Sequence, residues 1–177
     1  MEVAEQGEPP VGLLAQIRED RRVYDSWTRP GFHAVAVYRL GAWRWRLPRR
    51  QRMPITLVYL LAQLVVRNVY SIEITSRTRI GRRLRLAHQG GVSIHPSVVI
   101  GDDCLIRQNV TIGIASNDSV GAPKLGDRVE IGAGAVIIGR ITIGDDARIG
   151  PNAVVTMSVP AGGLAVAPPA RVIPPRQ

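Results

Sequence analysis

The chain has 177 residues, 45% of them hydrophobic, enough to fill one core and too many for a disordered chain. A single cysteine, Cys104, excludes an internal disulfide framework and a four-cysteine zinc site. The net charge of +9 rests almost wholly on arginine, since Lys124 is the only lysine, and it favours anionic ligands or a solvated basic face.

Met1 to Pro10 carries three glutamates and no apolar stretch, so no secretory signal is read there and a cytoplasmic setting is expected. Val11 to Tyr24 and Phe32 to Trp45 show helical apolar spacing. Trp27-Thr28-Arg29-Pro30-Gly31 separates them, and Pro48 ends the second. Arg39, Arg44, Arg46, Arg49, Arg50 and Arg52 form one cluster, read as a solvated helix face or a collar for anionic ligands. A nucleic-acid patch would interleave aromatics with its cations, so no nucleic-acid partner is expected. Ile55 to Val66, opened by Pro54 and closed near Arg67-Asn68, is shorter than the ~20 apolar residues that a bilayer span needs. It is read as a buried or interfacial helix, with no transmembrane segment. Residues 1–70 are therefore expected to form a helical N-terminal region.

Residues 71–177 change character. Ile74, Ile80 and Leu86 recur every six residues, as do Ile94, Ile100, Ile106 and Ile112, and again Leu125, Ile131, Ile137, Ile143, Ile149 and Val155. Four positions after these aliphatics comes a second inward set: Leu84, Val98, Cys104, Val110, Val129, Ala135, Ile141, Ala147 and Ala153. A period of six is neither 3.6 nor 2. It fits a short strand plus a turn, with the turns supplied by Gly101-Asp102-Asp103, Gly126-Asp127 and Gly144-Asp145-Asp146. The expected fold is mainly β: a parallel β-helix with three hexads to a coil, over about residues 74–158. Two breaks interrupt the period, one at His88-Gln89-Gly90-Gly91 and one at Ser116 to Lys124. Extra residues in a solenoid bulge outward, often on its functional face.

These residues resemble the hexapeptide-repeat acyltransferases, and within them the serine O-acetyltransferases. The likeness runs through Gly31-Phe32-His33-Ala34, Tyr38-Arg39-Leu40-Gly41, Ile72-Glu73-Ile74, His88, Gln108-Asn109-Val110-Thr111-Ile112-Gly113, Ile131-Gly132-Ala133-Gly134-Ala135 and Pro169-Ala170-Arg171. The resemblance implies a left-handed coil, a hand that chain physics alone disfavours. It also implies an acetyl-CoA-dependent O-acetyltransferase working as a homotrimer, with active sites at the interfaces. By the same resemblance His88 is the general base and Glu73 its orienting carboxylate, with Glu standing where the family has Asp. Gly113, Ala133, Pro151 and Arg171 fall where the family contacts acetyl-CoA. Arg171 suits the nucleotide phosphates through charge-assisted hydrogen bonds.

The chemistry agrees with that assignment. Acetyl transfer to an alcohol needs a base near neutral pKa and a partner that fixes its tautomer. Glu73 precedes His88 by fifteen residues, nearly one coil, which is expected to bring the two within reach. His33 reads as a packing residue and His95 as a solvent-facing turn residue. The three histidines do not fall on successive coils, so no metal is expected. Cys104 reads as core.

The resemblance implies a small-molecule alcohol as acceptor: serine, a sugar or another hydroxyl compound. The family's charged contacts to serine are replaced by Ala87, Gly121 and Ala122, which makes free L-serine a poor fit. This pattern resembles the acetyltransferases associated with polysaccharide biosynthesis. Ser116, Asn117, Asp118, Ser119 and Lys124 form the substrate loop, and arginines from the helical region or a neighbouring subunit are an alternative source of ionic contacts. Two other classes remain open from the residues alone: a non-catalytic β-helix scaffold, and a basic membrane- or nucleic-acid-binding module.

Overall fold

The computed structural model describes residues 12–88, 90–116 and 121–171. Three helices come first: α1 (Leu13–Arg21), α2 (Pro30–Trp43) and α3 (Arg49–Tyr70), with a 3-10 turn over Arg44–Arg46 between the last two. Pro30 opens α2 at a position where its missing N–H costs nothing. The third helix departs from the expectation. It begins at Arg49 rather than Pro54 and contains that proline in its interior, where the missing N–H leaves Arg50 O without its usual helical donor. At 22 residues α3 is long and apolar enough to cross a membrane by length and composition, which corrects the shorter reading. Val11, expected at the start of α1, lies outside the described residues.

From Ile72 onward the hexads become a three-faced parallel β-helix. The first face stacks Ile72–Ile74, Val92–Ile94, Thr111–Gly113, Val136–Ile138 and Val154–Val155. The second stacks Arg79–Ile80, Val99–Ile100, Lys124–Leu125 and Thr142–Ile143. The third stacks Arg85–Leu86, Leu105–Ile106, Glu130–Ile131, Arg148–Ile149 and Leu164–Ala165. The stack thus starts earlier and ends later than residues 74–158. Register partners lie 18 residues apart where the hexads run unbroken, as in Val136↔Val154. They lie 20 apart across the first break (Ile72↔Val92) and 25 apart across the second (Leu105↔Glu130). Both breaks therefore leave the inner register unchanged.

The aliphatics of both inward sets are buried, apart from Ile80, which is half-buried under the helices. Thr78 takes the slot that would begin the second set; it is 3% exposed and was invisible to an aliphatic pattern. At one corner, aspartates stack. Asp102, Asp127 and Asp145 accept from the backbone N–H of Arg82, Asp102 and Asp127 at 2.8, 2.8 and 2.9 Å. The stacking needs glycine beside it: a Cβ on Gly101 would collide with Asp127 Oδ1.

The open edge of the first coil is a template for unwanted strand pairing unless it is covered. Three side chains cap it, one per face. Gln63 Nε2 donates to Ile74 O (3.0 Å). The Tyr38 hydroxyl accepts from Ile80 N–H and donates to Thr78 O. The Tyr24 hydroxyl accepts from Leu86 N–H and donates to Leu84 O. Burial pushes both phenols upward from their ordinary pKa, so they stay protonated donors.

The arginine cluster is not uniformly solvated, contrary to expectation. Arg39 is 2% exposed; it donates to both Asp20 oxygens at 2.7 and 3.2 Å and to Ile80 O and Gly81 O. Arg44 is also buried, donating to Gly41 O and Ser76 Oγ. Both tie the helices to the coil, which is why their charges turn inward.

Candidate active site

The first break forms an enlarged corner between the third and first faces. His88 sits there with φ +64°, followed by Gly90 and Gly91, also at positive φ. Below it, the same corner carries Gln108-Asn109, then Ala133-Gly134, then Pro151-Asn152. Vertical hydrogen bonds join these levels, from Asn109 N to Gly90 O, Gly134 N to Gln108 O and Asn152 N to Ala133 O.

A cleft of about 640 Å³ opens beside this corner, walled by His88, Gln108, Arg85 and Arg107 and by Asp25 and Arg29 from the α1–α2 connection. The connection comes so close because Gly31 has no side chain; a Cβ there would collide with Leu86 O. Asp25 pairs with Arg29 (3.5 Å) and lies 4.0 Å from Arg85. Among the described residues Arg107 has no carboxylate partner. The Gln108 side-chain oxygen is buried without a hydrogen-bond partner. Together the cleft presents one imidazole, three guanidiniums and one carboxylate. That arrangement can take a proton from a hydroxyl and hold an anionic group near it.

Not every expected site residue reaches this corner. Glu73 stands mid-strand on the first face, register-paired with Ser93, and makes no hydrogen bond or ion pair with His88. The coil is 20 residues long here, so fifteen residues fall short of a full turn and leave His88 at the corner before Ser93. Ala133 and Pro151 share the His88 corner. Gly113 ends a strand at the opposite edge of the first face, and Arg171 is exposed in the C-terminal segment. Ser116 and Lys124 flank the second break, which lies between the first and second faces, away from His88. Asn117, Asp118 and Ser119 lie outside the described residues, as does Gln89.

Sequence reasoning missed Arg29, Arg85 and Arg107. The last two were accessible in principle, because each lies one residue from an inward aliphatic, Leu86 or Ile106, and so points outward. Arg29 depends on tertiary approach alone. The remaining candidates settle simply. His33 Nε2 meets Trp27 O at 2.6 Å and Nδ1 meets the Tyr70 hydroxyl at 3.1 Å, a packing role. His95 is half-buried rather than solvent-facing, its Nδ1 accepting from Ser97 N–H. Among the described residues no three His, Cys, Asp or Glu side chains converge as a metal site. Cys104 is fully buried and its thiol donates to Gly126 O.

A stacked parallel coil with a histidine at an outward break defines a class of transferase. The family model for the bacterial transferase hexapeptide, six repeats, matches residues 122–156. The chain belongs to the hexapeptide-repeat acyltransferases, and its β-helix is accordingly of the left-handed kind. It is 37% identical to the putative colanic acid biosynthesis acetyltransferase WcaB of Escherichia coli K12 over 160 residues, covering 87% of this chain and 96% of that protein. It is 38% identical to serine acetyltransferase of Salmonella typhimurium over 144 residues, covering 81% of this chain. The chain spans about half the length of that enzyme, 50%. Among solved structures, serine acetyltransferase of Brucella abortus in complex with coenzyme A aligns with a TM-score of 0.74 and 27% identity, over 89% of this chain and 66% of that one.

Proposed function

We propose that the protein is an acetyl-CoA-dependent O-acetyltransferase in which His88 is the general base and the acceptor is an anionic hydroxyl compound. The observation that carries this reading is the placement of His88 on the wall of a cleft that also gathers Arg29, Arg85 and Arg107. Serine acetyltransferase-like relatives supply the reaction type. The three arginines supply the substrate class, providing the charge that Ala87, Gly121 and Ala122 do not carry.

Acetyl-CoA, as co-substrate, brings the acetyl group as a thioester. The chain fits such a molecule: its net charge is +9, and the His88 corner carries only small or backbone-presenting residues at Ala133 and Pro151. His88 takes the hydroxyl proton as the acceptor oxygen bonds to the acetyl carbon. The carbon–sulfur bond breaks, and the imidazolium returns the proton to the departing sulfur. Arg85 and Arg107 hold the acceptor's negative group, and Asp25 orients Arg29 and Arg85 by charge. Gly113, Ser116 and Lys124 lie at the opposite corner of the same chain, so a neighbouring copy in a homotrimer would complete the site.

The test is thiol release and product mass with acetyl-CoA and a panel of L-serine, neutral sugars and carboxylated or phosphorylated sugars. Turnover on the anionic sugars, at least about tenfold above the neutral ones in kcat/KM, is expected. Absence of transfer to every alcohol overturns the activity. Equal use of neutral sugars overturns the acceptor class, and L-serine turnover of ~10⁴ M⁻¹s⁻¹ or above restores serine as substrate. Light scattering should give three copies per particle or a multiple; a monomer would remove the shared site.

A further inference from the structure

We propose that the outer face of α3 is a docking surface for an anionic phospholipid bilayer, on which the helix lies in the plane of the membrane interface. A helix on the surface of a soluble protein turns its polar side outward. This one turns an apolar side outward as well. Its inner face holds Tyr59 and Val66, both buried, and Gln63, bonded to Ile74 O. Its outer face presents Met53, Leu57, Leu61 and Leu64, with Leu57 61% and Leu61 58% exposed. Leu60 and Val65 widen the strip, and Val69 extends it.

The charge around the strip chooses the occupant. From Ser26 to Ile72 the chain has eight arginines and no aspartate or glutamate. Arg46, Arg49 and Arg50 are exposed at the start of the helix and Arg67 near its end. None of the four has a carboxylate partner among the described residues. Trp45 is half exposed between Arg44 and Arg52, which lie 4.8 and 5.0 Å from its ring. An apolar strip ended by unpaired cations, with an indole beside them, matches a layer of acyl chains beneath anionic headgroups. A second copy of this face would bring the same arginines together without counter-charge, so the chemistry favours lipid over self-association.

The helix lies on the bilayer rather than through it. The Tyr59 ring is wedged under the Arg44 guanidinium at 4.0 Å, and the Gln63 bond caps the first coil. A spanning helix would surrender both.

The experiment is co-sedimentation of the full chain with vesicles of phosphatidylcholine, with and without phosphatidylglycerol, at about 0.1 M salt. Binding to the anionic vesicles is expected, at least about tenfold tighter than to pure phosphatidylcholine. The double variant Leu57→Asp, Leu61→Asp should abolish it. The triple variant Arg46→Gln, Arg49→Gln, Arg50→Gln should weaken it about a hundredfold. Melting temperature and light-scattering mass are measured on each variant; both should match the parent, because all five side chains are exposed. No pelleting with anionic vesicles overturns the proposal, as does equal pelleting with pure phosphatidylcholine. A smaller particle for Leu57→Asp, Leu61→Asp overturns it in favour of an interface between copies.

Discussion

His88 and Cys104 are the two titratable side chains whose fates diverge most within the repeat. One inserted corner lifts His88 out of the stack and onto a cleft wall, whereas the unbroken hexad keeps Cys104 inside it. His88→Ala should therefore lower turnover by at least ~100-fold, measured as thiol release, while acetyl-CoA affinity measured by calorimetry stays within a few-fold. Glu73→Gln should cost less than about tenfold, since Glu73 makes no bond to the imidazole that the amide would forfeit. Burial pushes the Cys104 thiol up to about 11. At pH 8 its thiolate fraction is then on the order of one in a thousand, so Ellman's reagent should label it only on unfolding. The inward position of Cys104 was legible in the sequence because a period of six assigns each residue a side. The role of Gln108 was not, because its orphaned oxygen is defined by neighbours on another coil.

Between elements, the helical cap and the first coil are joined by groups that local sequence signals do not report. Tyr38→Phe removes a hydroxyl that serves both Ile80 N–H and Thr78 O. An unsatisfied buried backbone group costs about 1–3 kcal/mol, so the variant should lose stability of that order in urea unfolding. Arg83 joins the same parts by charge, donating to Asp103 (2.5 and 2.6 Å) and Glu19 (2.5 Å). The Arg83 hydrogen bond holds the Asp103 carboxyl below its ordinary pKa. Burial pushes Glu19 up, but Arg82 and Arg83 together outweigh it and its pKa also ends lowered. Carboxyls with depressed folded pKa values add stability above the ordinary carboxylate range and lose it as pH falls through their folded values. The melting temperature gap between parent and Arg83→Met should thus be full at pH 7 and shrink below about pH 4. The hexad arithmetic could place Arg83 at a corner, but nothing in it could pair a corner with Glu19, more than sixty residues away.

At the scale of the molecule, the two ends of the stack are unequal. The first coil is sealed by Tyr24, Tyr38 and Gln63, whereas among the described residues the last leaves Leu164 and Val166 largely exposed. A solenoid's stability is close to a sum over neighbouring coils, so opening should begin at the unsealed end. Amide hydrogen exchange should be slowest around Ile106 and Ile112 and fastest at Leu164–Ala165; uniform protection would refute the gradient. The three-hexad coil and the two breaks were readable from spacing alone, because each six-residue step is a local event. The α3 boundary was not, because Pro54 signals a helix start only if nothing upstream has already begun one.

The constant inner register makes the β-helix a ruler. Each 18-residue coil advances the chain by one strand spacing, about 4.8 Å, and returns it to the same corner. Duplicating residues 136–153 would keep one Pro151 beneath Ala133, add a second one rung below it, and carry Arg171 one rung farther from His88. Such a chain should fold, since each inward aliphatic of the added coil would stack on its own copy in an unchanged register. The lengthened protein would then show by its affinity for acetyl-CoA how many rungs that ligand must reach across.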